Sequence, residues 1–95
     1  LIDPLDGTKE FIKKNGEFTV NIALIVCNEA QIGLINAPVM KNIYWGHKKH
    51  GAHMQNQNGI ITQLKVSETI GNTRRIAISR SHKSDDLKKY LRNMI

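Results

Sequence analysis

Phe18-Thr19-Val20-Asn21-Ile22-Ala23-Leu24-Ile25-Val26-Cys27 is of strand length and rich in β-branched and apolar residues. It predicts a strand over residues 18–27, and its near-continuous hydrophobicity predicts burial on both faces. The polar Asn28-Glu29-Ala30 reads as a turn, and residues 31–37 as a second strand ending at Pro38. Two such runs with a short polar link make an antiparallel hairpin. Further along, residues 42–46 carry Ile43, Tyr44 and Trp45 as a third strand, and 51–54 begin a fourth. Gln55-Asn56-Gln57-Asn58-Gly59 turns the chain, and residues 60–66 resume an extended, partly alternating pattern. The expectation for 18–66 is an antiparallel meander.

Beyond it the composition turns polar, and Gly71-Asn72 marks a break within a candidate linker at 67–72. Residues 75–79 read as a new strand. A helix follows from Ser84, which can cap it; Asp85 and Asp86 fill the first turn, and Lys88, Lys89 and Arg92 lie towards the last, complementing the helix dipole. Leu87, Tyr90, Leu91 and Met94 recur at helical spacing and form one apolar stripe. The fold class is therefore α+β: mainly an antiparallel meander, then a strand-helix unit.

Ninety-five residues make at most one modest domain, and 40% hydrophobic with 23% charged residues is the balance of an ordinary soluble globular chain. No apolar run approaches the ~20 residues of a transmembrane segment, and no signal-peptide plan opens the chain. The expected address is cytoplasmic, with peripheral contact at the inner membrane left open. Cys27 is expected to be a buried small hydrophobe; as the sole cysteine it forms no internal disulfide, and no Cys/His pattern supports a catalytic thiol. The net charge of +6 comes from scattered basic pairs without interleaved aromatics. That argues against a nucleic acid polymer and suits a small polyanion.

Upstream of the hairpin stands Asp3-Pro4-Leu5-Asp6-Gly7-Thr8-Lys9-Glu10-Phe11. Pro4 holds Asp3 extended, and a turn through Leu5 and Asp6 would aim both carboxylates into one space. Mg2+ asks for such ligands: one or two carboxylates, with waters and substrate phosphate oxygens completing the shell. The Leu5 carbonyl is a third candidate ligand. Gly7 permits close approach of an anion, and Thr8 and Lys9 would open a short helix through Asn15, its N–H groups facing a phosphate. The same spacing describes a solvated Asp-Gly turn, which spacing alone favours. His47, His50 and His53 recur every third residue but lack acidic or cysteine companions, and a solvated loop is expected there. Ser79-Arg80-Ser81-His82 follows a predicted strand and precedes a predicted helix, so it is either a polar loop or a ligand contact at a strand's carboxyl end.

The string from Asp3 to Thr8 resembles the metal-binding motif of the inositol monophosphatase and fructose bisphosphatase superfamily of Mg2+-dependent, Li+-sensitive phosphatases. Lys9-Glu10-Phe11, the run from Asn15-Gly16-Glu17 to Ile25, and Ile78-Ser79-Arg80-Ser81-His82 are similar to the CysQ-type 3'(2'),5'-bisphosphate nucleotidases. The resemblance implies part of a layered αβαβα sandwich. Residues 1–73 would belong to its N-terminal metal-binding domain, and 74–95 would begin a C-terminal α/β domain. It implies Mg2+ on Asp3, Asp6 and the Leu5 carbonyl, Asp6 and Thr8 in catalysis, and Gly7, Thr8, Ser81 and His82 on the substrate. The implied reaction removes the 3'-phosphate of adenosine 3',5'-bisphosphate, a nucleotide recycled in sulfate assimilation. The alternatives are an inositol monophosphatase-like sugar phosphatase and a noncatalytic module binding anions or a protein. The family's upstream glutamate and downstream Trp-Asp-x-x-Ala-Gly motif do not occur in these residues. The rest of the same polypeptide is expected to complete the site.

Overall fold

The computed structural model describes residues 1–68, 71–73, 75–78 and 85–93. Six strands form one antiparallel sheet in sequence order, β1 (Ile2–Asp6), β2 (Thr19–Val26), β3 (Glu29–Ala37), β4 (Asn42–His47), β5 (Gly51–Gln55) and β6 (Ile61–Leu64). Helix α1 (Thr8–Lys13) links β1 to β2, and α2 (Asp85–Asn93) follows the sheet. The meander expected over 18–66 is present, and β1 adds to its edge.

Details depart from the sequence reading for physical reasons. The β2–β3 link is a two-residue turn at Cys27-Asn28, with φ of 50° and 63°, and pairing resumes at once with Val26 opposite Glu29. Left-handed conformation at both central residues is the turn that matches strand twist, and Asn tolerates it well. The predicted turn at 28–30 is thus shorter and earlier. Cys27 sits at its tip and is exposed rather than buried. Helix α1 ends at Lys13, with left-handed Lys14 as its cap, two residues before the expected stop. Residues 75–78 carry no strand. A strand exists only through a ladder, and β6 pairs with β5 alone among the described residues.

The register sorts side chains onto two faces, since directly paired residues share one. Asn21, Ile35, Tyr44 and Met54 form one row across the sheet, and Ala23, Gly33, Gly46, Ala52 and Leu64 form the next on the same face. The small second row leaves a trough of about 550 Å³ whose lining runs from Asp3 on β1 to Leu64 on β6. On the opposite face Trp45 pairs with His53, their rings stacked at 5.8 Å.

Burial on both faces of β2 is not what these residues show: Ile22, Leu24, Ile25 and Val26 keep 44–51% of their surface. Ala37 is the one buried apolar side chain among the described residues. The cause is a single layer. The extensive contacts between elements are all strand against strand, and neither helix makes a comparable contact with a strand among the described residues. Helix α2 has the expected acidic first turn and amphipathic pattern but buries no residue. No helix among the described residues is long and apolar enough to cross a membrane.

Candidate active site

The two carboxylates of the opening motif lie on an edge strand, not in a turn. Across β1 and β2 the ladder pairs Asp3 with Asn21 and Asp6 with Thr19. Three steps on β1 therefore match two on β2, and Pro4 and Leu5 together face the single residue Val20. This is a β-bulge, which bends a strand and re-aims its side chains. In a regular strand, residues three apart point to opposite faces. The extra residue cancels that. Asp3 shares a face with Asn21, Asp6 shares one with Thr19, and Thr19 and Asn21, two apart, share the same face. Both carboxylates thus come to one side, at the end of the trough that Asp3 lines. Pro4, lacking an N–H, is tolerated on an edge at a bulge. The turn expected through Leu5 and Asp6 is corrected accordingly: the strand runs through Asp6, and the reversal is made at Gly7.

Gly7 is the N-cap of α1, with φ 89° and ψ 52°, and its carbonyl accepts the Phe11 N–H at 2.9 Å. An L side chain is strained there. A Cβ would also stand 3.2 Å from Glu10 Oε2 and 3.4 Å from the Glu17 carbonyl. Glu10 sits at the third helical position, from which an acidic side chain can reach back to the cap, and is only 7% exposed. Phe11 meets Phe18 edge to face at 5.1 Å, tying the helix to the entry of β2. Asn15 Oδ1 accepts the Glu17 N–H at 2.9 Å and shapes the return. Thr8, first residue of α1, is exposed directly after Asp6-Gly7.

One participant was not singled out by sequence reasoning. Asn21 Nδ2 donates to Asp6 Oδ2 at 3.1 Å, while Asn21 Oδ1 is buried and has no hydrogen-bond partner. The signals available were an amide inside an otherwise apolar strand and a D-x-x-D spacing within an extended segment, which brings both carboxylates to one face only through a bulge.

The donor set suits a hard divalent cation: two carboxylates on one face, a main-chain carbonyl at the bulge, and an orphaned amide oxygen beside them. It is not a closed all-protein cage, because no group of three or more His, Cys, Asp or Glu side chains that could hold a metal occurs among the described residues. Mg2+ accepts so sparse a set, since water and substrate oxygens complete its shell.

The histidines do not form a loop cluster. His47 ends β4, His53 lies within β5, and only His50 is in the turn. The His47 and His50 rings stand 4.5 Å apart, and His47 Nδ1 accepts the Lys49 N–H at 3.0 Å. Beside them Lys48 pairs with Glu29 in an exposed ion pair. Ser81 and His82 lie outside the described residues.

Residues 1–94 match the model of the inositol monophosphatase family. The chain is 45% identical over 94 residues to the 3'(2'),5'-bisphosphate nucleotidase CysQ of Salmonella typhimurium, and equally to that of Escherichia coli K12; 99% of this chain and 37% of each relative are covered. Among solved structures it is similar to CysQ from Bacteroides thetaiotaomicron, a bacterial member of the inositol monophosphatase family, with TM-score 0.71 and 34% identity over 98% of this chain and 39% of that one. It shares its fold with Mycobacterium tuberculosis SuhB, TM-score 0.67, over 72% of this chain and 28% of that chain. The chain thus spans about 37% of the length of the curated relatives it matches. A family match that runs through the bulged aspartates and the left-handed glycine to residue 94 shows that this chain belongs to the inositol monophosphatase family.

Proposed function

We propose that this chain supplies the cation-binding and phosphate-facing part of a Mg2+-dependent phosphatase that removes the 3'-phosphate of adenosine 3',5'-bisphosphate. The observation that carries this reading is the bulge in β1, which gathers Asp3 and Asp6 on one face immediately before left-handed Gly7. Support for the nucleotide comes from the CysQ relatives and the Lys9-Glu10-Phe11 continuation.

Asp3, Asp6 and the Leu5 carbonyl would hold the Mg2+. When bound, the cation supplies positive charge that acidifies the attacking water and offsets charge on the phosphate. The Asn21 amide holds the Asp6 carboxylate that would ligate the cation. Gly7, without a side chain, lets the backbone come close to a phosphate oxygen. The Thr8 hydroxyl, next in the chain, would accept a hydrogen bond from the attacking water and so fix its direction. By the family resemblance, Ser81 and His82 would contact the second phosphate or the nucleoside. Further acidic ligands come from the rest of the same polypeptide, an expectation that accords with the share of its relatives this chain spans.

Substrate choice tests this reading. An inositol ring offers hydroxyls, whereas a nucleotide bisphosphate brings a second phosphate and a base. Charge-assisted hydrogen bonds to that phosphate are worth about 1.5 to 3 kcal/mol each, which is about tenfold or more in affinity. The complete protein with saturating Mg2+ is expected to show higher kcat/KM on adenosine 3',5'-bisphosphate than on inositol monophosphate, and His82→Ala is expected to narrow the gap. Equal or greater efficiency on inositol monophosphate would reassign the substrate to the sugar phosphates.

A further inference from the structure

Asn21 stands between the two carboxylates in a way that packing alone does not explain. Its neighbours along β2 are Val20, Ile22 and Leu24, and a leucine would fill the position without leaving a polar atom unsatisfied. Instead an amide oxygen is buried without a partner, a condition that proteins avoid because its lost hydration is not repaid. The amide cannot relieve this by turning over. The reversed amide would set Oδ1 against Asp6 Oδ2, two acceptors facing each other, so Nδ2 faces the carboxylate. The oxygen is thereby committed to the side away from Asp6, and the residue paired with Asn21 across the ladder is Asp3.

We propose that Asn21 is a positioning residue of the cation site: Nδ2 fixes the Asp6 carboxylate, and Oδ1 receives an O–H donor that arrives with the hydrated cation. This rests on the reading of Asp3 and Asp6 as Mg2+ ligands and adds a residue to it. Mg2+ gives up its water reluctantly, so a buried acceptor beside its carboxylates meets a donor that the cation itself carries in. Such outer partners orient the ligands and contribute to affinity without touching the metal.

The test is calorimetric titration of Mg2+ into the complete protein, together with melting in EDTA and in Mg2+. Asn21→Leu removes both the donor and the orphaned acceptor. It is expected to weaken Mg2+ binding about 10- to 100-fold, with Tm in EDTA unchanged or raised. Asn21→Asp places a third carboxylate against Asp6. It is expected to melt lower than wild type in EDTA and to gain more from Mg2+ than wild type does. A purely structural residue would show the reverse for leucine: lower Tm in EDTA with Mg2+ affinity intact. Wild-type Mg2+ affinity in Asn21→Leu, with binding lost in Asp6→Asn, would overturn this proposal and leave the cation site standing. Should the leucine variant fail to fold, an aspartate variant with the wild-type Mg2+-induced shift would overturn it equally. No Mg2+ binding by the wild type would remove the site and the proposal together.

Discussion

Asp6→Asn in the complete protein is expected to lower Mg2+-dependent kcat/KM by at least about 100-fold, since even outer partners of metal ligands typically cost 10- to 100-fold when mutated. The fold should survive the change. Asp6 is exposed at the end of β1, and its carboxylate accepts the hydrogen bond from Asn21 Nδ2. The substituting amide has nearly the same shape, and its oxygen still accepts that hydrogen bond. What it loses is the negative charge. Without a cation this loss relieves repulsion between two carboxylates on one face, so Tm in EDTA should be unchanged or slightly higher. In Mg2+ the order should invert, because only the wild type gains from binding. Turnover with melting curves in both conditions separates the cases. A variant with full Mg2+-dependent turnover would show that Asp6 is not a ligand.

The second large effect concerns residues 1–95 expressed alone. This chain is expected to lack a cooperative thermal transition as a monomer, to self-associate and to bind a hydrophobic dye. A chain of this size folds by burying well over half of its surface. Here no side chain is fully buried among the described residues, and Leu24, Ile32 and Ile35 keep 39–51% of their surface. The ladders are satisfied, but a sheet covered on neither face has little hydrophobic gain to set against chain entropy. Analytical ultracentrifugation and calorimetry of the 95-residue chain are the measurements. A monomer with a sharp two-state melt would show that the sheet needs no covering layers.

How much of this was legible in the sequence depended on whether the signal was local. Residues 42–46 and 51–54 read as strands from β-branched, aromatic and turn residues and lie within β4 and β5, and the β2–β3 hairpin reads from its two apolar runs. The continuous apolar character of β2 correctly marked a strand; its burial is a property of layers that β2 does not itself encode. The bulge was hidden because D-P-L-D reads as a turn when Pro4 and Asp6-Gly7 are weighed by local preference. Only pairing with β2 shows that the strand continues to Asp6. Cys27 was misplaced for a similar reason: its apolar neighbours suggested burial, while the two-residue turn needed a left-handed residue there. His53 seemed part of a loop with His47 and His50, yet the β4–β5 register sets it against Trp45. In the candidate site, Asp3, Leu5, Asp6, Gly7 and Thr8 were singled out from the motif alone. Asn21 was not, because an amide in a strand becomes informative only once its oxygen is seen buried and unpartnered.

The central claim is that the bulge between Asp3 and Asp6 builds a cation site. Anomalous diffraction from crystals of the complete protein soaked in Mn2+, an ion of similar oxygen preference, tests it most directly. The account expects a peak coordinated by carboxylate oxygens of both Asp3 and Asp6 and by the Leu5 carbonyl, absent from crystals of Asp6→Asn. Mn2+ bound elsewhere in the protein, with Asp3 and Asp6 contacting only solvent, would contradict it.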